Sequence, residues 1–101
     1  MGMTVGACQI TLRLPENQSL KGKRKVVKSL IMRLHNKFNV AVAEVGSHDS
    51  WQTAVLGVCC VSNGEPHASR VLSSVTDFVR HERLDAELVD IQTEILHGVA
   101  E

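Results

Sequence analysis

Hydrophobic residues recur along the chain with a period of two and then of 3.6, in the order β-α-β-β-α-β, and this order predicts an α+β sandwich. Two further observations set the topology. A short, turn-rich loop makes the second and third strands an antiparallel hairpin, and each β-α-β half prefers a right-handed crossover. Together these give a ferredoxin-like arrangement: one four-stranded antiparallel sheet in the order 4-1-3-2, with both helices on one face and the other face open. The 101 residues carry it as a single domain, residues 1–101.

The first strand spans residues 3–14, where Cys8, Ile10, Leu12 and Leu14 alternate with Gln9, Thr11 and Arg13. Pro15-Glu16-Asn17-Gln18 ends it, and Ser19 is the expected N-cap of a helix reaching about Asn36. Leu20, Val27, Leu30, Ile31, Leu34 and Phe38 form its core stripe. Gly22 stands where a capping-box Glu would, so that box is incomplete. Asn39 to Val45 reads as the second strand, Gly46-Ser47-His48-Asp49-Ser50 as a turn, and Trp51 to Ser62 as a long central strand. Asn63-Gly64-Glu65-Pro66 starts the second helix, with Ala68, Val71, Leu72, Val75, Phe78 and Val79 at core spacing and the cations Arg80 and His81 in its last turn. Residues 86–96 form the fourth strand, in which Val89, Ile91, Thr93 and Ile95 alternate with Leu88, Asp90, Gln92 and Glu94. The tail, residues 96–101, is expected to fray.

Eleven Lys and Arg balance eleven Asp and Glu, giving a formal net charge of +0 and a pI of about 7.0. A uniformly cationic nucleic-acid binder and an acidic disordered chain are both excluded. Phe38, Trp51 and Phe78 are the only aromatics besides histidine, which limits functions built on base stacking. No apolar run approaches the ~18–20 residues that span a bilayer. Met1-Gly2-Met3-Thr4 has no basic n-region, so no secretory signal is expected. Cys8, Cys59 and Cys60 are odd in number and form no C-x-x-C pair. They read as reduced packing residues in a cytoplasmic protein.

Zero net charge conceals segregation. Between Gln18 and Ala43 lie Lys21, Lys23, Arg24, Lys25, Lys28, Arg33 and Lys37 and no acid, a local charge of +7. From Glu65 to Glu101 the balance is −5. Lys21, Arg24, Lys25, Lys28 and His35 share one flank of the first helix. A solvated helix ordinarily mixes signs, because Glu–Lys pairs at i, i+4 add a few tenths of a kcal/mol. Cations in the first turn also oppose the helix dipole. This arrangement points to an anionic partner, with a phosphate backbone as the commonest large anion. A plain solvated face is the competing reading. The candidate anion- or RNA-binding residues are Lys21, Lys23, Arg24, Lys25, Lys28, Arg33 and His35.

RNA-recognition domains of this topology stack bases on aromatics of the central strands. Beyond Trp51 at the margin of the third strand, the central strands here offer none, and Gln9, Thr11, Val55, Cys59 and Val61 cannot stack, so sheet-face readout is not expected, and RNA would be gripped by its backbone. Val5, Ala7, Val40, Val42, Val55 and Val61 are instead expected to form an apolar patch on the open face, suited to a homodimer. Glu44 either pairs with a basic neighbour or faces solvent on an edge strand, the second being favoured. His48 and Asp49 make a poor metal or acid–base site without a third group. No catalytic motif, metal set or cofactor loop is found, and the chain is read as non-enzymatic, without a cofactor.

Ser19-Leu20-Lys21, Lys23-Arg24, Ser29-Leu30, Arg33-Leu34, Phe38-Asn39-Val40 and Ala43-Glu44-Val45 resemble the YlxP-like family. Trp51-Gln52, Leu56-Gly57-Val58 and Val61-Ser62-Asn63 extend the likeness over roughly residues 3–95. The resemblance implies a bacterial ferredoxin-like domain of unknown function. Its genes often lie among translation and ribosome-maturation genes, which implies an RNA or ribosome association.

Overall fold

The computed structural model describes residues 2–82 and 86–99. Arg83, Asp85 and Glu101 of the acidic third, and the last two positions of the expected tail, lie outside the described residues. The elements are β1 (Met3–Arg13), α1 (Leu20–Lys37), β2 (Ala41–Gly46), β3 (Thr53–Ser62), α2 (Glu65–His81) and β4 (Glu87–Val99). They build one antiparallel sheet in the order β2-β3-β1-β4, the order expected. α2 lies across β1, β4 and β3, and α1 lies over β2.

The core is the layer between sheet and helices. Cys8, Ile10, Leu12 and Leu14 from the first strand and its end meet Ala54, Leu56, Val58 and Cys60 from β3. Val27, Leu30 and Leu34 of α1 and Ala68, Leu72, Val75 and Val79 of α2 close it from the other side. Phe38 and Phe78 join the two helical halves edge to face, with ring centroids 5.8 Å apart. α2 sits close on β1 at Gly6, where a Cβ would lie 3.1 Å from both Cys60 Sγ and Leu72 Cδ1. Ser19 caps α1 as expected, its hydroxyl accepting from the Gly22 N–H at 3.0 Å.

Several expectations are corrected. β4 continues through Val99, because Leu96 pairs with Val5 and Val99 with Met3 in the ladder to β1. Strict alternation along β4 also fails. A register shift between Thr11 and Leu12 pairs Leu88 with Leu12, turning Leu88 to the core side and leaving Val89 54% exposed. On β2, Val42 pairs with the buried Val58, so Val40 and Val42 face the helices and pack on the core. The β2 residues on the open face are Ala41, Ala43 and Val45.

The largest correction concerns Lys23 and Glu44. Lys23 falls three residues after Leu20 and four before Val27, inside the apolar stripe of α1, and is fully buried. Its ammonium donates to the carbonyl oxygens of Ser47 (2.5 Å), Thr53 (3.1 Å) and His48 (3.3 Å). It also lies 3.1 Å from Glu44 Oε2. Among the described residues that oxygen has no hydrogen-bond partner, and the three donor positions of the ammonium match the three carbonyls. Glu44 therefore faces inward to a cation, not outward to solvent. The contact ties α1 to the β2–β3 loop, where Ser47 holds the left-handed conformation at φ 57°.

Removing one member of a buried ionic contact leaves the other charge and its carbonyl partners unmatched. Lys23→Met is expected to lower unfolding free energy by about 3 kcal/mol. Lys21→Met, on the exposed side of the same helix, should stay within about 0.5 kcal/mol of the parent. Urea unfolding midpoints of the two variants check this.

Cys8 and Cys60 are buried and Cys59 is half-buried, on the open face. Burial pushes the Cys8 thiol pKa up, offset in part by a hydrogen bond with Thr93. Titration of the native protein with a disulfide reagent should modify Cys59 first, and Cys8 and Cys60 only as the fold opens. Equal reaction of all three in the native state would contradict the placement.

Candidate basic helix face

At 100° per residue, α1 divides into two sides. Lys23, Val27, Leu30 and Leu34 are buried on one, and Lys21, Arg24, Lys25, Lys28 and His35 are exposed on the other. Among the described residues, no carboxylate pairs with Lys21, Arg24, Lys25 or Lys28. The first turn of the helix carries no acid. Four like charges thus stand together on a rigid scaffold, with their positions set by the core stripe behind them.

Two of the seven expected residues are engaged elsewhere. Lys23 is directed inward at Glu44 and the hairpin carbonyls. Arg33 Nη1 reaches Glu82 Oε1 at 2.5 Å, linking α1 to the C-cap of α2 with half of the guanidinium side chain still exposed. Lys37, at the helix end, lies over the Phe78 ring at 5.4 Å. Along the face itself, Lys25, Lys28, Ser29, Met32, Arg33 and Asn36 line a shallow groove of about 340 Å³. Met32, 56% exposed, places an apolar side chain among these cations. The expectation from the sequence did not include it.

The open sheet face has a different chemistry. Val5, Ala7, Val55 and Val61 lie on it as expected. Its shallow trough of about 770 Å³ has small side chains of β1, β2 and β3 on one side, among them Ala7, Ala41, Ala43 and Cys59, and Gln92 and Glu94 of β4 on the other. Val45 packs above Gly57, whose missing side chain leaves it room. Asp90, Gln92 and Glu94 of β4 pair with Thr11, Gln9 and Ala7 and share this face. One side of the open face is therefore apolar and the other is acidic, which suits it poorly to a polyanion.

The histidines are dispersed. His67 Nδ1 lies 2.9 Å from Ser62 Oγ at the start of α2, and His97 Nε2 lies 3.2 Å from Glu65. His48 and His81 contact the backbone carbonyls of Glu44 and Asp77. No hydrogen bond or ion pair links Asp49 to His48 among the described residues. Among the described residues, no three His, Cys, Asp or Glu side chains converge on a metal-sized site. No helix among the described residues is long and apolar enough to cross a membrane.

Comparison with known proteins adds three findings. Residues 5–93 match the family described as "Protein of unknown function (DUF503)". The chain is 41% identical over 69 residues to "Uncharacterized protein YlxP" of Bacillus subtilis (strain 168), covering 64% of this chain and 75% of that protein. A de novo designed protein, Ferredog-Diesel, aligns over 93% of this chain and 86% of its own, at 15% identity and a TM-score of 0.45. With most of its length matched to that family, the chain belongs to the YlxP-like proteins of unknown function described as DUF503.

Proposed function

We propose that this is a small, non-enzymatic binding protein that associates with RNA through the exposed face of α1. The observation that carries the reading is four adjacent cations, Lys21, Arg24, Lys25 and Lys28, presented without carboxylate partners among the described residues. Such a stripe forgoes the support of mixed-sign pairs and opposes the helix dipole, a local cost that a phosphate backbone offsets. Neutralising phosphates releases condensed counterions, so affinity is steeply salt-dependent and weakly sequence-dependent. His35 extends the same face. Arg33 contributes only as far as its contact with Glu82 allows.

If about four phosphates are engaged, log affinity against log salt should have a slope of about −3 to −4. Fluorescence anisotropy with a labelled RNA hairpin of mixed sequence measures it. The triple charge reversal Lys21→Glu, Arg24→Glu, Lys28→Glu should abolish binding while the fold persists, since these side chains leave the core untouched. A flat salt dependence, or unchanged binding by the reversal variant, overturns the reading.

A second reading is self-association through the open sheet face. Val45, Val61 and Leu96 are 51%, 65% and 44% exposed there, above small residues that permit close approach. Burial of that face would also enlarge the core of a small domain. Sedimentation equilibrium should then show a dimer at tens of micromolar, weakened by Val61→Asp. A strict monomer at that concentration overturns it.

A further inference from the structure

We propose that Trp51 is a stacking platform for an unpaired base of the RNA whose backbone follows α1. This rests on the basic-face reading above and narrows its partner to RNA with single-stranded segments. Trp51 is the only tryptophan, and the chain has no tyrosine. It takes no part in the core and is 54% exposed, at the end of the loop between β2 and β3.

The loop beneath the ring is held from several directions. Lys23 gathers the carbonyls of Ser47, His48 and Thr53 from inside the fold. Asn17 Nδ2 donates both to the Trp51 carbonyl (2.5 Å) and to the Ser19 carbonyl (2.7 Å). One amide thus joins the Trp51 backbone to the cap residue of α1, two positions before Lys21. Gly22 makes room for this, because a Cβ there would collide with Asn17 Oδ1. Gln52 Nε2 donates to the Pro15 and Asn17 carbonyls at 3.2 Å, and the Leu14 N–H donates to the Gln52 carbonyl at 2.8 Å.

An exposed aromatic on a loop fixed this firmly has the properties of a preorganised contact. Little ordering remains to be done when a planar ligand arrives. Asn17, Gln18, Ser50 and Gln52 line a cavity of about 280 Å³ with the ring. Gln18 is exposed, and its amide offers a donor and an acceptor to a base edge. Every base has a π-face, so stacking here is tolerant of sequence, in keeping with backbone recognition along α1. A base inside a duplex cannot present that face, whereas one in a loop, bulge or single strand can.

The test compares a mixed-sequence single-stranded RNA with the same strand annealed into a blunt duplex. Trp51 is the sole source of tryptophan emission, so a stacked base should quench it directly. The single strand is expected to quench Trp51 and to bind more tightly than the duplex. Trp51→Ala should weaken single-strand binding roughly 5- to 150-fold, leave duplex binding unchanged, and be largely rescued by Trp51→Phe. Single-strand binding with unaltered emission and undiminished affinity in Trp51→Ala would overturn the stacking role while leaving the basic face intact. Binding of neither RNA would overturn both.

Discussion

The buried ammonium of Lys23 is the contact on which the loop end of the molecule depends. A primary ammonium has three protons, and here two carbonyls of the β2–β3 loop and that of Thr53, where β3 begins, receive them while Glu44 balances the charge. Burying a charge is tolerable only when it is matched in this way. The match requires Ser47, His48 and Thr53 to turn their carbonyls inward together, so the ion fixes the course of the hairpin loop as well as its distance from α1. Trp51, placed between two of those ligating residues, inherits its position from them. Asn17 and Gln52 then lace the preceding β1–α1 loop to the same structure. Two loops that would otherwise be independent become one surface at the start of the basic helix.

The helix layer and the open sheet face divide the electrostatics between them. The cations of α1 stand on the outside of the helix layer, because its opposite side is committed to the core. The acids of β4 stand on the open sheet face, because the pairing with β1 directs Asp90 and Glu94 there. A polyanion is therefore favoured on the helix layer and opposed on the sheet. This reverses the arrangement of RNA-binding domains that read bases on the sheet of the same topology. It also explains how a chain of zero net charge offers a cationic surface: Lys21, Arg24, Lys25 and Lys28 of α1 and the acids of β4 stand on different faces.

The fold was legible because each element repeats its signal many times. Five residues of α1 with Phe38 at its C-cap, and six of α2, keep helical spacing, and the first strand alternates from Cys8 to Leu14, so single exceptions do not change the outcome. The site was legible only in part. Lys21, Arg24, Lys25 and Lys28 could be placed outside because they lie away from the stripe of Leu20, Val27, Leu30 and Leu34. Lys23 could have been placed inside by its spacing from Leu20 and Val27, but its residue type argues for solvent, since lysine is almost never fully buried unless paired. The partner that licenses its burial, Glu44, is 21 residues away in sequence.

Sequence alone determined the order of elements and the two helical core stripes from local periodicity, the sheet topology from the short hairpin loop and crossover handedness, and the segregation of charge from residue positions. Which face each residue of β2 and β4 presents was decided only by the tertiary structure. On β2 both alternating sets are apolar enough to be buried, so pairing with β3 had to choose, and it sent Val40, Val42 and Glu44 inward together. On β4 one bulge exchanged Val89 for Leu88. In a strand a shift of one residue reverses every side chain beyond it, and such a shift is set by the neighbouring strand rather than by the residues themselves.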